Sequence, residues 1–169
     1  MTRILDNRGM ATRSNVSLAI LTAVFIYGIW EIWHAVTVGG DPTAYLFGVA
    51  FIGGSLYGLN TTMKEARDLV IAFDADPATR EAVITLWRPF HRKRIETSLD
   101  RIAGWRHWIE TGSRGLRTYY LLAREPSHDG TLRFMLQRGM TIPDVLREVA
   151  GEAIEDFERD TGVLRDDGE

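Results

Sequence analysis

The chain contains no cysteine. Disulfides, thiolate metal centres and a cysteine nucleophile are therefore excluded. The short signatures of common catalytic sites are missing as well: there is no GxGxxG, no Walker loop, no HExxH and no Gly-x-Ser-x-Gly. Between Arg13 and Lys64 there is no lysine or arginine, and the acids there are Glu31 and Asp41. Charge of both signs is thus almost absent from one third of the chain and concentrated in the rest.

That uncharged third is strongly apolar. Residues 15–38, NVSLAILTAVFIYGIWEIWHAVTV, exceed the roughly 20 residues needed to cross a hydrocarbon core of about 30 Å. A second apolar run, TAYLFGVAFIGGSLYGLN at residues 43–60, follows the turn sequence GGDP. Pro42 suits the first turn of a helix. The pattern predicts a transmembrane hairpin over residues 15–60, preceded by an N-terminal segment, residues 1–14. Arg3, Arg8 and Arg13 precede the first span, Lys64 and Arg67 follow the second, and the connection has no basic residue. By the positive-inside rule both termini and the soluble part are expected in the cytoplasm of a bacterial cell, on the inner membrane. Ala50, Gly54 and Gly58 recur every fourth residue on the second span. Such a stripe lets helices approach closely in lipid, either within the hairpin, against Ala19 and Ala23, or against another membrane protein.

Glu31 and His34 interrupt the first span. At i and i+3 they share a helix face. Glu-x-x-His is half of a di-iron motif, and a lone intramembrane histidine could ligate a haem or chlorin. One copy of the motif does not complete a metal site, so no cofactor is expected, with Glu31 and His34 kept as candidates. Trp30 and Trp33 read as an interfacial aromatic belt. Glu31 stands about 10 Å and His34 about 6 Å before the end of the span. Glu31 is expected to be protonated, or paired with His34 or with a neighbouring subunit.

Beyond residue 60 the period changes. TTMKEARD continues the second helix out of the membrane, and period-two segments then predict strands at residues 68–74, 82–87, 94–99, 102–110, 116–124 and 131–137. DADPATR, RPFHRK, TGSRG and EPSHDG read as the turns between them, short enough to suggest consecutive antiparallel pairing. Thr141 is a candidate N-cap for a closing helix. Val145, Val149, Ala153 and Phe157, widened by Leu146, Ala150 and Ile154, form its apolar stripe, and Gly162 ends it before a tail, residues 162–169. The expected class is a helical membrane hairpin joined to an α+β domain at residues 61–161. Its sheet would be antiparallel and curled, or a partly open barrel, capped by the C-terminal amphipathic helix.

This order of elements, with SLDRIAGWRHWIE as a central strand pair, resembles bacterial membrane-anchored pleckstrin-homology-like (PH-like) proteins that carry an N-terminal transmembrane hairpin. The resemblance implies a scaffold or membrane-surface role rather than catalysis. It carries no site residues over.

Charge is polarised along the soluble part. Arg88, Arg92, Lys93, Arg94, Arg101, Arg106, Arg114 and Arg117 outnumber the acids between residues 88 and 117, whereas acids dominate from Asp144 onward. The stretch RPFHRKR, read as a loop, is the candidate contact with an anionic leaflet through Arg88, Arg92, Lys93 and Arg94, with Phe90 dipping into the interface. The alternative is that the basic strands pair with the acidic helix or are simply solvated. The net charge of −3 and the tether speak against nucleic acid. The leading expectation is a non-catalytic accessory or assembly subunit that docks on a larger membrane complex or on further copies of itself. A redox or pigment-associated role for His34 and a lipid-binding role for the soluble domain are the alternatives.

Overall fold

The computed structural model describes residues 1–39, 42–89, 91–112 and 115–162, apart from the side chain of Glu65. The chain forms two units. Gly9–Arg67 make one; Met1–Arg8 join with the chain from Asp68 onward to make the other.

The first unit is a pair of helices, α1 (Arg8–Val38) and α2 (Pro42–Ala66). Both are long and apolar enough to cross a membrane, and most of their surface is exposed. Helix α1 starts well before the apolar run, because the Asp6 carboxylate accepts the Arg8 backbone N–H at 3.1 Å and caps it. The predicted GGDP turn includes Gly40 and Asp41, which lie outside the described residues. The two helices touch at Gly28 and Gly48. A Cβ at Gly28 would lie 2.9 Å from the Gly48 carbonyl oxygen, and one at Gly48 would lie 2.8 Å from that of Gly28. Gly58 packs under Leu21. Of the small-residue stripe, Gly58 makes this contact, whereas Ala50 is exposed and a Cβ at Gly54 would meet nothing within 4 Å. Ala50 is two residues from Gly48, about 200° around the helix, so it cannot share the face that meets α1.

The second unit is an open mixed sheet with a helix against one face. Its strands are β1 (Thr2–Asp6), β2 (Leu69–Ala75), β3 (Glu81–Arg88), β4 (His91–Ser98), β5 (Ala103–Thr111), β6 (Arg117–Arg124) and β7 (Leu132–Leu136), followed by α3 (Asp144–Thr161). The order is β4-β3-β2-β7-β6-β5, with β1 also on β2. The six strands expected beyond residue 60 are present, but their pairing is not wholly consecutive. A 3-10 turn at Leu99–Arg101 separates β4 from β5, which do not pair, and β7 returns parallel to β2 at Leu69 and Val70. The sheet is therefore mixed rather than antiparallel throughout.

Strand β1 is the element that the sequence pattern missed. It is too short to show a period and lies in the N-terminal segment before the first span. It pairs antiparallel with the far end of β2, from Thr2↔Ala75 to Asp6↔Ala72. One edge of β2 is thus shared, with β7 at one end and β1 at the other. Asn7 fills the fork: its backbone N–H donates to Ile71 at 2.8 Å and its side-chain amide to the Met135 carbonyl at 3.0 Å. The hairpin is in consequence an insertion between the first two strands of the sheet unit.

Alternate residues of the strands build the core. Phe73, Ile84, Leu86, Leu121, Leu132 and Phe134 meet Leu146, Ile154 and Phe157 of α3. Helix α3 begins at Asp144 rather than near Thr141, with Pro143 extended at φ −64°, ψ 142° and no side-chain cap. The residue before a proline is disfavoured from helical geometry, which delays the start. Gly162 ends the helix in the left-handed region at φ 71°, as its position suggests. Residues 163–169 of the predicted tail lie outside the described residues. The helix is broken at Ala150, where φ is −121° and ψ 20°. Arg147 and Glu158 would be about 16 Å apart on a straight helix. The break lets them form a bidentate pair at 3.0 and 2.6 Å.

Candidate functional site

Two places combine polar chemistry with an unusual setting, one in each unit. On α1, Tyr27, Glu31 and His34 recur at helical spacing among apolar residues. The Tyr27 hydroxyl donates to the Glu31 carboxylate one turn away. His34 does not pair with Glu31; its ring stacks on Trp30 at 5.3 Å. Among the described residues no hydrogen bond reaches either ring nitrogen of His34. Tyr27 also stands edge-on to Phe51 of α2 at 5.7 Å. Tyr27, Trp30 and His34 are exposed and Glu31 is half-buried, so among the described residues little covers this face of α1.

In the sheet unit the structure brings together groups that the sequence keeps far apart. Asp68, the first residue after the helical unit, is buried and left-handed at φ 60°, a conformation that aspartate tolerates better than most side chains. Its carboxylate lies 3.0 Å from His128 Nε2 and 3.4 Å from Arg88 Nη2. His128 therefore sits in a turn, as expected, but its side chain is only 5% exposed. Gly130 makes room for the pair: a Cβ there would stand 2.4 Å from Asp68 Oδ2.

Glu125, 1% exposed, lies beside this pair. Burial pushes its carboxyl up. Hydrogen bonds from the Ser127 hydroxyl, the Thr97 hydroxyl and the Ser127 N–H, helped by the charge of Arg101, outweigh burial and hold it below its ordinary range. It is an anion at neutral pH. Neither Asp68–His128 nor Glu125 was singled out from sequence. The one available signal, a cluster of polar residues in EPSHDG, is the signal of any turn.

The predicted basic loop is not a loop. Pro89 and Phe90 alone connect β3 to β4, and Phe90 lies outside the described residues. Arg92, Lys93 and Arg94 belong to β4, an edge strand, in register with Trp87, Leu86 and Thr85. Successive side chains of a strand point to opposite faces, so their charge is divided rather than gathered. Arg88 is engaged with Asp68. Charges of this kind on an edge strand also discourage pairing with other chains. Among the described residues the acidic helix makes no ion pair or hydrogen bond with this basic stretch. It meets Arg80, whose guanidinium binds Asp100 and Glu148 at 2.7 Å each, and His107, whose Nδ1 lies 3.1 Å from Asp160. Among the described residues no three His, Asp or Glu side chains are grouped to hold a metal ion.

The chain matches no protein-family model, no curated protein and no solved structure.

Proposed function

We propose that this protein is a membrane-anchored, non-catalytic accessory or assembly subunit whose helix pair docks on a larger integral-membrane complex. The observation that carries this reading is the sparsely covered polar face of α1. A helix apolar enough for lipid exposes Tyr27 and His34 and leaves Glu31 half-buried between them, with no hydrogen bond to the His34 ring among the described residues. Polar and ionisable groups in a span are costly in lipid and favour a protein neighbour that supplies partners. Ala50 and Gly54, exposed on α2 and unused in the contact with α1, add a surface that a second helix could approach closely. The basic residues flanking the spans support, by the positive-inside rule, a sheet unit on the cytoplasmic side of a bacterial membrane. There it would brace the complex or the leaflet, the role that the PH-like resemblance implies.

Purification of the full chain in mild detergent tests the proposal. A stoichiometric membrane partner is expected, and replacing His34 by leucine should loosen it. Elution as an isolated monomer would overturn the reading. The unbonded His34 ring favours one second reading, a ligand to a pigment or metal shared with a partner. A visible absorption band lost in His34→Ala would support that role, and a colourless preparation that still holds its partner would remove it.

A further inference from the structure

Among the described residues some arginines of the sheet unit make an ion pair or hydrogen bond, and others, Arg92, Arg117 and Arg138 included, make none. Arg3, Arg80, Arg88, Arg133 and Arg147 each face a carboxylate at between 2.5 and 3.4 Å. Arg106 and Arg124 are exposed, and among the described residues neither makes an ion pair or hydrogen bond. They are also neighbours. Arg106 stands opposite Leu122 and Arg124 opposite Ala103, so the two side chains flank Leu122 on the face of the sheet away from the core.

A bulge shapes the strand between them. The register passes from Ala103↔Arg124 to Arg106↔Leu122, which sets Gly104 and Trp105 against Ala123 alone. Gly104 adopts φ 68°, a conformation that glycine takes without strain, and the strand bends there. Beside the bend is a cavity of about 160 Å³ lined by Gly104, Arg106, Leu122, Arg124 and Thr131. No carboxylate lines it. It adjoins a groove of about 560 Å³ that shares Arg124 and Thr131 and reaches Arg101, Glu125, His128 and Asp129. Of the two acids of that groove, Glu125 is bound by Ser127 and Thr97 and balanced by Arg101, and Asp129 lines the groove but not the smaller cavity.

We infer that the bulge of β5 is an oxyanion seat, and that its ligand is a phosphate monoester or free phosphate. Two guanidinium forks offer parallel N–H donors that match phosphate oxygens, and the Thr131 hydroxyl supplies a further donor. A dianion answers the two positive charges. The larger groove then receives whatever the phosphate is attached to. The source is a monoester lipid headgroup or a soluble phosphate compound. The inference rests on the sheet unit alone and stands apart from docking of the helix pair.

The test uses the full chain in phosphatidylcholine nanodiscs, with the backbone amides of Gly104 and Thr131 followed by NMR. Inorganic phosphate should shift both in a saturable way. Arg106→Gln and Arg124→Gln, both exposed and expected to leave the melting temperature unchanged, should each weaken binding about tenfold or more. Arg92→Gln on β4 should change it less than about twofold. Nanodiscs with phosphatidate decide the source. A shift there without added phosphate assigns the lipid headgroup, and a shift with soluble phosphate alone assigns a soluble ligand. No shift in either arm overturns the inference. So does an equal response to phosphatidylglycerol, a monoanionic diester, or an equal loss in Arg92→Gln, because each reduces the effect to bulk surface charge.

Discussion

At the scale of single residues, the buried ions of the sheet unit are the most exacting features. Asp68 is held by His128 and Arg88 in a left-handed conformation. Asp68→Ala should cost about 2–3 kcal/mol, because it strands both partners and keeps an unfavourable φ; Asp68→Asn should cost less. Urea unfolding of the full chain in nanodiscs would rank the two. Glu125 predicts a pH dependence. Its folded-state carboxyl lies below the ordinary value of 4.5, so its stabilisation is present above that pH and is lost as pH falls through the folded value. Ser127→Ala should therefore lower stability by about 1 kcal/mol at pH 7 and by progressively less under acid. Unfolding curves at pH 7 and pH 3 would show the gap closing. Neither group was legible in sequence. Asp68 and His128 are sixty positions apart, and only the return of β7 beside β2 brings them together.

At the scale of elements, the helices and strands were largely legible, while their joints were not. The period-two runs of β2 to β7 and the stripe of α3 follow directly from residue spacing. The break in α3 at Ala150 does not, because the residues on either side continue the same apolar stripe. It is secured by the Arg147–Glu158 pair, in which Glu158 is buried. Arg147→Met should destabilise the protein by about 2 kcal/mol by leaving a buried carboxylate uncompensated, and Arg147→Met with Glu158→Leu should recover much of that loss. A double-mutant cycle measured by urea unfolding tests this coupling. The connection between β3 and β4 shows the same limit. A run of turn-forming and basic residues looked like a loop, yet two residues suffice, and the basic side chains continue the strand.

At the scale of the whole molecule, the sheet unit is discontinuous. Residues 1–8 and the chain from Asp68 onward form one unit, and the helix pair is inserted between them in the chain. A soluble fragment that starts at Asp68 should therefore fold poorly. It loses Ile4 and Leu5, both buried in the core, a deficit of at most about 3–6 kcal/mol. Because Asn7 lies against Ile71, a few glycine and serine residues should join residues 1–8 to residues 68–162 and restore a cooperative fold. Circular dichroism melts and sedimentation of the two soluble chains would separate the outcomes. The candidate docking face belongs to the same scale. Glu31 and His34 stood out in sequence, but their pairing did not: Tyr27 takes Glu31, and Trp30 takes the His34 ring.

By itself the sequence determined what local periodicity and local composition encode: two apolar helices, six of seven strands, the closing helix and its glycine stop. It also located the polar interruption in α1, since an acid in an apolar run is visible without any structure. The tertiary structure alone decided which strands are neighbours, that the first five-residue strand belongs to the sheet, and which arginines meet a carboxylate. Those outcomes depend on contacts between residues far apart in the chain. Such contacts are set by the burial of one shared core and leave no periodic trace in any short stretch.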